Sequence, residues 1–295
     1  MAPVIILIMA GSFLLVSIYG KIYPQKPAIE DRSGARTFLK GSFMNQESYA
    51  EVFSALPKMA AKTEISAGIV PHHFLAKELI AGFYNMIGSE NIPAVFLVSP
   101  DHYGNFYKSG EIAYTSALAW QTPFGNLYAD ETIINSIVKD GGASTNDAVV
   151  GLEHGISVET PFIRYFFERA KIVPLVLKSS ADYDVFFKFG QKIKSISSGR
   201  PIMVVSSDFS HGLTESEAKK EDEESIGNLN GLSVAGLDSI HSDCRQCLAV
   251  LAGFLGDANN DFLLIGNKNS RDFSGNADPT VTSYVSGYYA KDITR

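Results

Sequence analysis

The stretch Ala94-Val-Phe-Leu-Val-Ser-Pro-Asp-His102 contains the pattern that decides the fold: an apolar strand that ends in a loop carrying a histidine. Two other stretches repeat it. Ile69-Val70 leads into Pro71-His-His73, and Met203-Val-Val205 leads into a loop that ends at His211. Because the carboxyl ends of parallel strands meet at one edge of a sheet, where ligands bind, we expect the three loops to build one site.

Strand-like and helical patterns alternate along the rest of the chain. The predicted strands cover residues 65–70, 94–98, 172–177, 202–205, 262–265 and 281–290. The predicted helices cover residues 74–87, 156–167, 185–196 and 248–255, with the start of an acidic helix near 214–224. This alternation predicts an α/β fold, a three-layer sandwich with a mostly parallel central sheet. Because no second linker interrupts the pattern, we expect a single domain over residues 36–295.

The N-terminal stretch differs from the rest because residues 4–19 are almost wholly apolar. Its length and the weak signal-peptidase site favour an uncleaved membrane anchor over residues 1–20, followed by a linker over 21–35. The protein is therefore expected at a membrane, held by a single hydrophobic helix. Lys21 and Lys26 favour a cytoplasmic domain, whereas signal anchors often export the domain attached to them, so the side stays open. A buried N-terminal helix or strand is the alternative.

Charge and cysteine content limit the function classes. The net charge of -7 argues against a nucleic-acid partner, which would need a basic face. The two cysteines, Cys244 and Cys247, form a single C-x-x-C, which lacks the second pair of a structural zinc site. The pair fits either a redox motif or two small buried side chains of a helix, with the second reading favoured.

The histidines at the strand ends are candidate metal ligands. Imidazole is the commonest side-chain ligand of zinc, iron and copper, so His72, His102 and His211 are predicted to hold one ion with open positions for water or substrate. Asp208 lies beside the last of them and is expected to orient a ring or to ligate directly. His154, directly after Glu153, suits acid–base work above the site. His73 and His241 are interpreted as structural.

Several blocks then resemble one known family, the Memo-like proteins, also called AmmeMemoRadiSam system protein B. They occur in the family's order and are Ile69-Val-Pro-His-His73, Val98-Ser-Pro-Asp-His102, Glu153-His-Gly-Ile-Ser-Val-Glu-Thr-Pro-Phe162, Val204-Val-Ser-Ser-Asp-Phe-Ser-His211 and Val281-Thr-Ser-Tyr-Val-Ser-Gly-Tyr-Tyr-Ala290. The resemblance covers about residues 36–290.

The resemblance implies a fold similar to class III extradiol dioxygenases and a metal-binding pocket. By position, His72, His102 and His211 match the family's three pocket histidines. Ser270 stands where eukaryotic members are matched to a pocket cysteine, a departure that weakens thiolate-dependent chemistry. Because the dioxygenases bind Fe(II) with a carboxylate among the ligands, Glu153 and Asp208 are candidates for that role.

These observations favour a metal-dependent oxidoreductase, dioxygenase-like, that acts on a small, aromatic or otherwise planar substrate. A divalent metal is expected, with iron first and copper or zinc as alternatives. His154, Glu153, Asp208 and Ser270 are the candidate catalytic residues. Two other hypotheses stay open: a non-catalytic module that binds metal or peptide, and a metal-dependent hydrolase that uses the same ligands.

Overall fold

The computed structural model describes residues 38–57, 64–88, 92–105, 110–256 and 261–291. Within these ranges the strands are β1 (Leu39–Lys40), β2 (Glu64–Val70), β3 (Ala94–Pro100), β4 (Ala113–Thr115), β5 (Trp120–Thr122), β6 (Gly125–Leu127), β7 (Ser144–Thr145), β8 (Lys171–Leu177), β9 (Ile202–Ser206), β10 (His211–Leu213), β11 (Asp261–Asn269) and β12 (Val281–Lys291). The α-helices are α1 (Glu47–Ala55), α2 (Lys77–Ile87), α3 (Glu131–Lys139), α4 (Asp147–Leu152), α5 (His154–Ser157), α6 (Thr160–Phe166), α7 (Tyr183–Ile196), α8 (Glu215–Leu229), α9 (Arg245–Leu255) and α10 (Ser270–Ser274). Short 3₁₀ helices cover Phe74–Ala76 and Val234–Ser239.

A nine-stranded sheet forms the centre of the described residues. Its order is β10-β12-β2-β9-β3-β8-β4-β7, with β11 paired to β12. The middle strands β2, β9, β3 and β8 run parallel, whereas β12 is antiparallel to β2 and β4 is antiparallel to β8. The predicted α/β fold is confirmed. The sheet is mixed and not mostly parallel, because antiparallel strands extend the parallel centre on both sides.

The parallel centre is buried because its strands carry almost no polar side chains. Every residue of β3 is buried, as is every residue of β9. Strands of this kind need helices packed over them, and here α2 packs on β2 while α9 packs on β9 and β3. The carboxyl ends of the parallel strands therefore meet at one edge, which carries the histidine loops.

Helices α7 and α9 are in backbone contact. A Cβ atom at Gly190 would lie 2.0 Å from the carbonyl oxygen of Val250, and one at Gly253 would lie 2.0 Å from that of Phe187. Only glycine allows so close an approach at these positions. The contact fixes α9, which begins directly after Cys244 and carries Cys247 in its first turn, against the rest of the fold.

The predicted strands and the acidic helix lie where the sequence predicts them, whereas the helix predicted over residues 156–167 is divided into α5 and α6. The six predicted strands correspond to β2, β3, β8, β9, β11 and β12, and the acidic helix is α8, which begins with a capping box between Thr214 and Glu217. The segment from Ala113 to Leu152, for which no element was predicted, contains β4 to β7, α3 and α4. Its strands have only two or three residues, too few to show a period of two.

The prediction of a membrane anchor is corrected. In the part of the chain that the structure describes, no helix is long and apolar enough to cross a membrane. This finding contradicts the prediction that the membrane is a partner of the protein and its location. The segments on which that prediction was based, residues 1–20 and the linker 21–35, lie outside the described residues.

Candidate metal centre

Three imidazole rings meet at the edge formed by the parallel strands. His72 follows β2, His102 follows β3, and His154 begins α5. One ring nitrogen of each lies within 4.8 Å of those of the other two. The ring of His72 stands perpendicular to both neighbours, with centroids 4.7 Å from His102 and 4.9 Å from His154. Three nitrogens this close can hold one metal ion.

A carboxylate that the sequence did not single out, that of Asp243, faces two of these rings. Its Oδ2 lies 3.3 Å from Nε2 of His72 and 3.5 Å from Nε2 of His102. Ligand atoms about 2.1 Å from a shared ion lie about 3.0–3.4 Å apart, so these spacings suit a common metal. The Oδ2 atom is buried and has no hydrogen-bond partner among the described residues. Burying a carboxylate oxygen without a partner costs free energy. The two Nε2 atoms and this oxygen therefore fit a bound cation as its ligands.

The loop around Asp243 fixes this carboxylate from behind. Ser207 Oγ donates to Oδ1 of Asp243 at 2.7 Å, and the backbone N–H of Asp243 donates to the carbonyl oxygen of Asp208 at 3.1 Å. The residues Ser207 and Asp208 directly follow β9. The position of Asp243 is therefore set by a strand end, although Asp243 itself follows no strand.

Glu153 orients the ring of His102. Its Oε1 accepts a hydrogen bond from Nδ1 of His102 at 2.6 Å, and its Oε2 accepts one from the backbone N–H of the same residue at 3.1 Å. Glu153 is fully buried. A carboxylate on one ring nitrogen fixes the tautomer and leaves the other nitrogen, here Nε2, free for a metal.

Asp208 holds the backbone of His72 and also contacts its ring. Its Oδ1 accepts from the backbone N–H of His72 at 3.1 Å, and its Oδ2 lies 3.5 Å from Nε2 of the same residue. The Oδ2 atom also forms a close ion pair with Nδ1 of His73. His73, interpreted from the sequence as structural, thus contacts a carboxylate of the site without belonging to the three-histidine group.

His154 is placed by the tight contact between its helix and β3. A Cβ atom at Gly155 would lie 2.1 Å from Oγ of Ser99, so only glycine lets α5 begin this close to the strand end. The centroid of the His154 ring lies 4.0 Å from that of His102, and Nδ1 of His154 is 3.3 Å from the hydroxyl of Tyr103.

The histidines and carboxylates of the pocket shift one another's pKa values. Burial lowers the pKa of His72, but Asp208 and Asp243 outweigh it and raise the value to about 10. For His102, the nearby carboxylates of Asp243 and Glu153 likewise overcome burial and raise the pKa. Burial and the two positive rings lower the pKa of His154, which stays neutral. Burial acts to raise the pKa of Asp243, but the imidazoles outweigh it and lower the value. The carboxylates therefore favour a positive charge in the space between themselves and the rings.

Another buried acid, Glu159, lies next to the hydroxyl group of Tyr84. Its Oε2 accepts from the hydroxyl of Tyr84 at 2.9 Å, and its Oε1 has no partner among the described residues. Burial raises the pKa of Glu159 to about 8, although Tyr84 and His72 oppose that shift. Glu159 is therefore mostly protonated at neutral pH.

Two of the predicted site residues lie elsewhere. His211 is exposed on β10, and its Nδ1 donates to the carbonyl oxygen of Phe209 at 2.6 Å, so the structure does not bring it into the histidine group. Ser270 begins α10, and its Oγ accepts from the backbone N–H of Thr282 at 3.3 Å. Reasoning from strand ends missed Asp243 because it precedes a helix. The available signal was an acidic residue directly before the C-x-x-C.

Comparison with known proteins now identifies the family. The family model described as Memo-like protein matches residues 29–248. The chain belongs to the Memo-like family. The matched residues include the three grouped histidines and Asp243, whereas Ser270 lies beyond them.

Archaeal relatives are similar over much of this Memo-like chain. A MEMO1 family protein of Pyrobaculum aerophilum is 30% identical over 243 residues, which cover 77% of this chain and 83% of that protein. One of Pyrococcus horikoshii is 34% identical over 179 residues, 56% of this chain and 59% of that protein. A crystal structure of an uncharacterized protein from Escherichia coli K12 has a TM-score of 0.49 and 12% identity, and covers 75% of this chain and 99% of that one.

Proposed function

We propose that this Memo-like protein is a metal-dependent oxidoreductase whose ion is held by His72, His102 and Asp243. The observation that carries the proposal is the position of Asp243 Oδ2, within 3.5 Å of Nε2 of both histidines and without a hydrogen bond to any described residue. Two imidazoles and one carboxylate are the ligand set of non-haem Fe(II) oxygenases. Iron is therefore the first metal to test, with copper and zinc as alternatives.

When bound, such an ion would supply the oxygen chemistry typical of this ligand set. The chain's own residues supply the rest. Glu153 accepts a hydrogen bond from Nδ1 of His102, which keeps Nε2 of that ring turned toward Asp243. Asp208 accepts one from the backbone N–H of His72, which holds the loop that carries this ligand. These two acids are positioning residues in this proposal.

His154 is proposed to move a proton to or from the substrate. The support is its position, because its ring adjoins those of His72 and His102 and its Nδ1 lies 3.3 Å from the hydroxyl of Tyr103. The adjacent Tyr103 is 42% exposed and stands edge-on to the His154 ring, which supports a small, aromatic or otherwise planar substrate at this face. The roles predicted for His211 and Ser270 stay predictions, and neither is needed here.

The test combines metal analysis with oxygen consumption. The full chain is reconstituted with Fe(II) without air and then given oxygen and a panel of catechols. We expect about one iron per chain and substrate-dependent oxygen uptake. Full iron loading without uptake on any catechol would contradict the oxygen chemistry, and zinc in the purified protein would favour the hydrolytic alternative.

A matched pair of variants tests the site itself. His72→Ala is expected to lose stoichiometric metal binding, because it removes a buried ligand. His241→Ala is the control, since that ring lies outside the pocket and pairs with Glu221. If His72→Ala still binds one equivalent as tightly as the His241→Ala control, the proposed centre is wrong.

A further inference from the structure

The two cysteines are joined next to the proposed carboxylate ligand. Cys244 and Cys247 form a disulfide, and Cys244 is the residue directly after Asp243. Both cysteines are fully buried. The covalent link and the ligand therefore share one turn at the N-terminus of α9.

Hydrogen bonds connect this turn to the carboxylate. The backbone N–H of Cys244 donates to Oγ of Ser242 at 3.0 Å, and Oγ of Ser242 lies 2.7 Å from Oγ of Ser207. Ser207 is the residue that donates to Oδ1 of Asp243. On the other side, the backbone N–H of Cys247 donates to the carbonyl oxygen of Cys244 at 3.0 Å. A change in this turn therefore reaches Asp243 through the backbone and through the serine pair.

The position of the disulfide favours a redox role over a purely stabilising one. A bond that closes so short a loop removes little entropy from the unfolded chain, so its effect on stability lies at the low end for disulfides. In contrast, C-x-x-C at the start of a helix is the spacing used by redox-active disulfides.

We propose that the Cys244–Cys247 pair is a redox switch for the metal centre. The disulfide holds the turn so that Asp243 faces His72 and His102, and reduction loosens the turn and weakens metal binding. The inference rests on the proposed function, because it takes Asp243 as a ligand. Reduction by a dithiol breaks the S–S bond: two electrons come from the dithiol, which becomes a disulfide, and each cysteine sulfur gains one proton.

The experiment compares the Fe(II) affinity of the full chain in its two redox states, without air. Thiols are counted before and after treatment with a phosphine, which reduces the disulfide and becomes a phosphine oxide, with water supplying its oxygen and the two thiol protons. We expect no free thiol before and two after, with Fe(II) bound about tenfold more weakly in the reduced chain, an effect of the size seen when outer contacts of a ligand are lost. Reoxidation should restore the affinity.

The variant Cys244→Ser/Cys247→Ser is the matched control. It has neither a disulfide nor a thiol, so it should bind Fe(II) like the reduced chain and should not respond to the phosphine. A response in this variant would assign the effect to the reagent and overturn the switch. Comparing the two redox states of the natural chain tests the inference even where the variant does not fold.

Two results would overturn the switch while leaving the metal centre in place. One is equal Fe(II) affinity in the oxidised and reduced chain, and the other is a disulfide that the phosphine does not reduce while the chain stays folded. Failure of the centre itself has a different signature, namely undiminished metal binding in His72→Ala.

Discussion

Asp243 and Glu159 each have a buried carboxyl oxygen without a hydrogen-bond partner among the described residues, and their neighbours give them opposite protonation states at neutral pH. Asp243 faces the rings of His72 and His102, and these imidazoles lower its pKa in spite of burial. Glu159 faces the hydroxyl of Tyr84, and burial raises its pKa to about 8. The first is ionised and ready for a cation, whereas the second holds a proton.

The difference shows that burial alone does not decide whether a carboxyl group is ionised. Removal from water disfavours the ionised form of both groups. Around Asp243 that cost is offset by close imidazoles, and around Glu159 the packed surroundings are aromatic, with the Tyr84 ring 6.2 Å from that of Phe162 and 5.8 Å from that of Phe167. We therefore expect changes at the two acids to affect different measurements.

Replacing the ionised acid should have the largest effect on metal binding. Asp243→Asn keeps the shape of the side chain but removes the negative charge, so we expect the Fe(II) dissociation constant to rise by more than the roughly 100-fold upper limit for contacts outside the ligand set. Fe(II) titration without air is the measurement.

Asp222→Asn is the matched control for that variant. Asp222 is a buried aspartate whose Oδ1 accepts from Ser210 and Ser283, outside the three-histidine group. It should bind Fe(II) like the unmodified chain. Equal losses in Asp222→Asn and Asp243→Asn would mean that buried charge in general, and not the ligand position, supports binding.

Replacing Glu153, which orients His102, should have an intermediate effect on metal binding. In Glu153→Gln the amide oxygen can accept only one of the two hydrogen bonds that the carboxylate takes from His102, and the N–H₂ group cannot accept the other, so the residue is held less firmly. We expect Fe(II) affinity to fall about 10- to 100-fold. The exposed Glu131→Gln serves as control, and an unchanged affinity in Glu153→Gln would remove Glu153 from its positioning role.

Replacing the protonated acid should leave metal binding nearly unchanged and alter the pH dependence of stability instead. The pKa of Glu159 is about 8 in the folded chain and ordinarily 4.5, so the folded state holds the proton more tightly. Its contribution to stability is full below pH 4.5 and is lost as pH rises toward 8, at up to about 1.4 kcal/mol per pH unit.

Glu159→Gln should remove this part of the slope, because the amide does not ionise. The measurement is the unfolding free energy of the metal-free chain from denaturant titrations between about pH 5 and 9, the window that the two pKa values define. Glu78→Gln, at an exposed position of α2, should keep the slope of the unmodified chain. A slope that persists unchanged in Glu159→Gln would show that this acid is not the group that titrates.

The parts of the fold and site that the sequence predicted share one physical cause. An apolar run followed by a polar loop can be recognised from the local sequence alone. This pattern predicted β2, β3 and β9 and the placement of His72 and His102. His154 was also recognised, because it begins a helix next to an acid. The short strands from Ala113 onward carry too few residues for such a pattern.

The partners of these histidines could not be read in the same way. His211 and Asp243 are both polar residues near the ends of elements, and nothing local distinguishes the exposed one from the one against the rings. The distinction arises from the backbone contact of Asp243 with Asp208 and from the hydrogen bond of Ser207, which join segments distant in the sequence.

By itself, the sequence determined the α/β class, the long strands and the edge at which a histidine site forms. The reason is that the local spacing of apolar residues indicates which elements form and which side chains are buried. The tertiary structure alone decided that the sheet is mixed, that His154 joins the group while His211 does not, and that Asp243 supplies the facing carboxylate. These are matters of distance between chain segments. The charge on a buried acid likewise depends on neighbours that only the folded chain brings together.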